Sequence, residues 1–66
     1  MKIIVNGMEH SFQEKITLQE IIKILNIVNE NIIAEVNGVI VTKDEFANTI
    51  IEENSVIELV KFVGGG

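Results

Sequence analysis

The chain has 66 residues, an apolar fraction of 47%, no Cys, and ten acidic against five basic side chains, for a net charge of −5. A chain this short forms one domain that buries only about 60% of its unfolded surface, so a scaffold, a deep substrate pocket and a catalytic shell do not fit together in it. The acidic balance argues against nucleic acid and anionic lipid as partners and for a basic protein surface, and the missing thiols exclude a persulfide or thiolate within the chain.

Met1 to Val5 is apolar and β-branched, and Asn6-Gly7 follows at once. Asn-Gly between apolar runs favours a type I′ turn, because both residues tolerate positive φ, so Met8 to Phe12 is the expected returning strand. Thr17-Leu18-Gln19-Glu20 has the spacing of a capping box. Leu18, Ile21, Ile22 and Leu25 then recur at i, i+3, i+4 and i+7, one apolar face of a helix that Asn26 and the cluster Asn29-Glu30-Asn31 should end. Ile32 to Val36 and Val39 to Val41 flank a second Asn-Gly turn, Asn37-Gly38, and predict a second hairpin. Thr42-Lys43-Asp44-Glu45 repeats the capping-box pattern and predicts a short helix ending near Phe46. After a turn at Glu52-Glu53-Asn54, Ser55 to Val63 is the last predicted strand.

Hairpin, helix, hairpin, short helix and strand make an α+β fold, with one main helix laid across one face of a mixed sheet. A right-handed crossover then brings the first and last strands together in parallel at the sheet centre, the β-grasp or ubiquitin-like arrangement. The expected organisation is a domain over 1–63 and a flexible glycine tail over 64–66. No stretch approaches the roughly 20 apolar residues of a membrane span, and Met1 to Gly7 lacks a signal-peptide core, so a cytoplasmic location is expected.

Few residues suggest chemistry inside the domain. His10 has no second His or Cys for a metal site and is expected as a surface residue of a strand. Glu52 and Glu53 suit a solvated turn, and Lys43 a surface charge on the short helix. No phosphate-binding loop precedes a helix, and no nucleophile has a base. Gly64-Gly65-Gly66 differs, because chance seldom places three glycines at a terminus when glycine averages about 7% of residues. Three extended residues reach about 10 Å, and without Cβ atoms they can thread a narrow channel in another protein. The terminal carboxylate is ionised at neutral pH and a poor electrophile until a partner activates it as an acyl-adenylate.

The chain resembles the ThiS family, the sulfur carriers of thiamin biosynthesis, over essentially its whole length. The resemblance is carried by Val36-Asn37-Gly38-Val39-Ile40-Val41, Lys43, Phe46, Ile57-Glu58-Leu59-Val60 and Phe62-Val63-Gly64-Gly65-Gly66. Lys43 stands where the family usually has Arg, and Asn54-Ser55 where it often has Gly-Asp. The resemblance implies a carrier and co-substrate, not an enzyme. A ThiF-like enzyme would adenylate the Gly66 carboxylate with ATP and Mg²⁺, and a sulfur donor protein would displace AMP to leave a thiocarboxylate. That group would deliver sulfur to a ThiG-like thiazole synthase, with Gly64 and Gly65 threading the partner's active site. Alternatives are a MoaD-like small subunit of molybdopterin synthase, a ubiquitin-like protein modifier and a plain β-grasp binding module. MoaD-like chains are usually longer and often carry Pro before the final glycines, whereas this chain has no Pro.

Strand alternation completes the expectation. Leu18, Ile21 and Leu25 should pack on a face carrying Ile3, Val5, Ile57 and Leu59. Lys2, Ile4, Ile33, Glu35, Val56, Glu58, Val60 and Phe62 then point to the open face, where Ile4, Val60 and Phe62 form a candidate docking stripe leading into the tail.

Overall fold

The computed structural model describes residues 1–27 and 30–61. Its first hairpin joins β1 (Lys2–Val5) to β2 (Met8–Ser11), and its second joins β3 (Ile32–Val36) to β4 (Val39–Val41). Both turns have positive φ at both central residues, 50° and 81° at Asn6-Gly7 and 51° and 85° at Asn37-Gly38. That is the type I′ geometry whose twist matches the strands it joins.

Between the hairpins lies α1 (Leu18–Ile24). The Thr17 hydroxyl accepts from the Glu20 backbone N–H at 3.1 Å, and the Thr17 N–H donates to the Glu20 carboxylate at 2.9 Å. A helix of seven residues is too short to persist alone, so this reciprocal cap and its packing hold it. Two backbone bonds tie the entry to the helix against the segment near residue 50: Leu18 N–H to the Thr49 carbonyl, 2.8 Å, and Ile51 N–H to the Ile16 carbonyl, 2.9 Å.

After the second hairpin come a 3-10 helix (Lys43–Asn48) and β5 (Val56–Lys61). The described strands form one sheet in the order β2-β1-β5-β3-β4. β5 runs parallel to β1 and antiparallel to β3 at the centre, as the β-grasp reading expects. One side of the sheet is covered. Ile3, Val5, Ala34 and Ile57 are buried there with Leu18, Ile21 and Ile22 from α1 and Phe46 from the 3-10 helix.

Three local expectations need correction. α1 ends before Asn26, as expected, because Asn26 adopts a left-handed φ of 58° and turns the chain away; what differs is the place of Leu25. Leu25 is therefore the C-cap and only half-buried, and Ile22 takes the interior place beside Ile21. Thr42 makes no capping bond to the helix backbone; its hydroxyl donates to the Asp44 carboxylate instead. The turn that follows is 3-10 and runs on to Asn48, past Phe46, whose fully buried ring anchors it under α1. His10 is half-buried and not plainly on the surface: its ring stacks on Phe12 with centroids 5.9 Å apart.

Candidate functional site: the open sheet face and the strand leading to the tail

β5 is the strand that precedes the terminal glycines in sequence, and both hairpin turns grip it. On one side, the Asn6 backbone N–H donates to the Ile57 carbonyl at 2.9 Å, and the Leu59 N–H donates to Asn6 Oδ1 at 2.7 Å. The ladder between β1 and β5 registers only Ile4 with Val56 and Val5 with Ile57, so the Asn6 side chain extends it beyond the end of β1. On the other side, the Asn37 N–H donates to the Val56 carbonyl at 2.8 Å, and the Val56 N–H donates to Asn37 Oδ1 at 2.9 Å. Asn37 Nδ2 also donates to the Ser55 hydroxyl, which satisfies a side chain that is otherwise buried. Each Asn thus turns its own hairpin and fastens the central strand. The sequence signalled the turns. It held no sign of the fastening, which depends on side-chain reach across 19 and 53 residues.

The face of the sheet opposite α1 has no covering element among the described residues. Alternation places Ile4, Ile33, Val56 and Val60 on it, and the register sets Ile4 against Val56 and Ile33 against Val60. Ile40, opposite Glu35 on β4, joins them. Val60 is 57% exposed, Ile40 65%, Val56 44% and Ile33 38%, while Ile4 is half-buried. Glu58 and its partner Glu35 stand between Val56 and Val60 on this face, so the exposed apolar side chains frame an acidic pair, and exposed apolar area gathered beside charge marks an interaction site more often than scattered apolar residues do. Ile40 was not among the residues expected here; its pairing with Glu35 is what brings it onto the face.

Of the residues singled out by sequence, Ile4 and Val60 lie on this face as expected. Phe62, Gly64, Gly65 and Gly66 lie outside the described residues. Lys43 is exposed at the start of the 3-10 helix and lines an open groove of about 790 Å³ with Asn31, Ile32, Ile33, Thr42 and Asp44. Register pairs Ile32 with Lys61, so this groove adjoins the last described residue of β5. Asn54 has a φ of 65°, so it adopts the left-handed conformation at the position where the resembled family often has Gly. Among the described residues, no group of three or more His, Asp or Glu side chains is placed to hold a metal ion. No described helix is long and apolar enough to cross a membrane.

The model of the ThiS family matches residues 2–66. The chain belongs to the ThiS family. The crystal structure of a ThiS thiamine biosynthesis protein from Geobacter metallireducens superposes with a TM-score of 0.87 at 26% identity, over 100% of both chains. Two thiazole synthases contain a segment similar to this ThiS-family chain. That of Paramagnetospirillum magneticum is 30% identical and that of Magnetococcus marinus 32%, each over all 66 residues. The chain spans 20% of the length of each of those synthases.

Proposed function

We propose that the chain carries sulfur as a thiocarboxylate on Gly66 and hands it to a thiazole-forming enzyme. The observation that bears most weight is the extent of the family match, which runs through residue 66 and so includes the glycine tail. The chemistry follows from the carboxylate. Its oxygen attacks the α-phosphorus of ATP, with Mg²⁺ and the catalytic groups supplied by a ThiF-like partner, and pyrophosphate leaves. The acyl-adenylate now carries a good leaving group, so the terminal sulfur of a donor protein's persulfide adds to the carbonyl and expels AMP; a second thiol then attacks the donor's own sulfur in the resulting acyl disulfide, forming a disulfide there and releasing the thiocarboxylate. The chain has no Cys, so no thiol of its own competes with the terminus as bearer of that sulfur.

Residues 1–63 act as the recognition domain and 64–66 as the tail that enters the partner's active site, where the absence of Cβ atoms at Gly64 and Gly65 suits a narrow channel. Docking uses the open sheet face, through Ile4 and Val60 with Phe62 beside the tail. The partner that accepts sulfur is a ThiG-like thiazole synthase; two thiazole synthases hold a similar segment within one polypeptide, which supports a working association of the two parts. The setting is the cytoplasm, where ATP is available.

The test is an incubation with the adenylating enzyme of the same organism, ATP, Mg²⁺ and a sulfur donor, followed by intact-mass analysis. A sulfur-for-oxygen gain confined to the C-terminal peptide is expected, with no ligation to lysine. An unchanged mass with an adenylating enzyme that is active on ATP, or an isopeptide-linked product, overturns the reading.

A further inference from the structure

The β3–β5 register sets Glu35 directly opposite Glu58, both exposed and both on the open face. Opposed side chains in an antiparallel pair have Cβ atoms about 4.5–5.5 Å apart, and like charges at that spacing destabilise the sheet. Among the described residues, no basic strand residue of this face lies beside them. Lys2 shares the face, but the parallel register places it level with residue 54, and its carbonyl accepts the Asn54 N–H. That is four residues back along the strand from Glu58, about 13 Å, beyond the screening length of about 8 Å at physiological salt. Lys61 pairs with the buried Ile32 and so leaves the sheet on the other side.

Around the two carboxylates lie exposed apolar side chains: Val56 and Val60 along β5, Ile33 beside Val60, and Ile40 beyond Glu35. An acidic pair inside an apolar frame differs from an acidic rim. A rim stays wet when a partner docks, but here docking would strip water from two adjacent carboxylates, which is costly unless a cation meets them.

We propose that this pair is the seat for one arginine of the thiazole-synthase-type partner, with apolar partner side chains covering the frame around it. The inference rests on the docking face proposed above and adds the chemistry that face selects. A guanidinium is planar, always charged and carries five donors in a fixed fork, so it can bond both carboxylates at once; a lysine presents a compact point charge. A bare divalent cation is a poor occupant, since calcium wants six to eight oxygens and this flat face offers two carboxylates. Once water is excluded the ion pairs strengthen, and a surface without the arginine leaves both charges unpaired. The pair therefore rejects wrong partners as well as holding the right one.

Calorimetric titration against the full-length thiazole synthase of the same organism tests this, with wild type, Glu35→Gln, Glu58→Gln, the double variant and Val60→Asp. Each single Gln variant should lose about tenfold or more in affinity, and the double variant little beyond the worse single, because one guanidinium serves both. Wild-type affinity should fall as salt rises, and that of the double variant much less. Thermal midpoints of the Gln variants should hold or rise, since repulsion is relieved. A purely structural role for either Glu predicts the opposite sign. Single Gln variants that bind within about twofold of wild type while Val60→Asp binds weakly would leave the docking face standing and remove the arginine seat. Fully additive losses would mean separate cations and also remove it. If Val60→Asp binds normally, or wild type does not bind, the docking face falls and this inference with it. Thiocarboxylate formation, followed by mass in parallel, reports on the carrier reading separately.

Discussion

The two faces of the sheet are built from the same strands and much the same residues, yet they meet different surroundings. On β1 and β5, Ile3, Val5 and Ile57 are buried under α1 and the 3-10 helix, while Ile4 and Val56, one residue away, and Val60, three residues past Ile57, face outward. β-branched residues favour strands on either face, so strand propensity accounts for the Ile and Val content but not for its distribution. A single helix can cover one side only. The contrast teaches that residue type alone does not separate core from interface in so small a domain. Coverage does, and coverage follows from topology.

The sharpest way to break that contrast is a pair of substitutions, one per face. Ile21→Ala, on the covered side, should cost about 2–5 kcal/mol, as large-to-small core changes do, a large share of the 5–15 kcal/mol typical of a whole domain. Val60→Asp, on the open side, should leave the denaturation midpoint nearly unchanged and abolish most partner binding. Equal destabilisation by the two would mean that the open face is packed after all.

A smaller effect is expected where the faces meet β5. Asn6→Gly keeps a residue that accepts positive φ and removes only the acceptor for the Leu59 N–H. The loss should be about 1 kcal/mol, as for one hydrogen bond, with faster hydrogen exchange at the Leu59 amide. Unchanged exchange there would show that Asn6 serves its turn alone. Smaller again is Leu25→Ala. Because Leu25 is half-buried at the helix C-cap, about 1 kcal/mol is expected, from its lesser apolar burial. A full core-sized loss would restore it to the interior and lengthen α1.

The fold was largely legible because its signals are local. Two Asn-Gly turns, one capping box at Thr17 and a clear i, i+3, i+4 spacing each specify a short stretch, and their order leaves little topological choice. Thr42 misled for a local reason as well: its hydroxyl has Asp44 two residues away and takes that partner over the helix backbone. Leu25 packs against the core as expected but stays half-buried, because it is the C-cap at the helix end that Asn26 marks. Strand alternation placed Ile4 and Val60 on the open face, since parity needs only the strand assignment. The arrival of Ile40 opposite Glu35 was implicit in the two-residue turn at Asn37-Gly38, which fixes the register of its hairpin. The opposition of Glu35 to Glu58 and the grip of Asn6 and Asn37 on β5 depend instead on which residue of one strand faces which of a strand distant in sequence. No spacing along the chain encodes that register.

The most direct measurement of the central claim, that the chain works through the carboxylate of Gly66, is the intact mass of a variant with one Ala appended after Gly66. It would be run through activation and sulfur transfer beside the wild type. The appended residue moves the carboxylate by about 3.5 Å and brings a Cβ into a channel suited to glycine. The fold, held by β5 and its two Asn clasps, should keep its denaturation midpoint. Wild type should gain sulfur for oxygen at its terminus, and the extended variant should not. Equal thiocarboxylate formation on both chains would contradict the assignment.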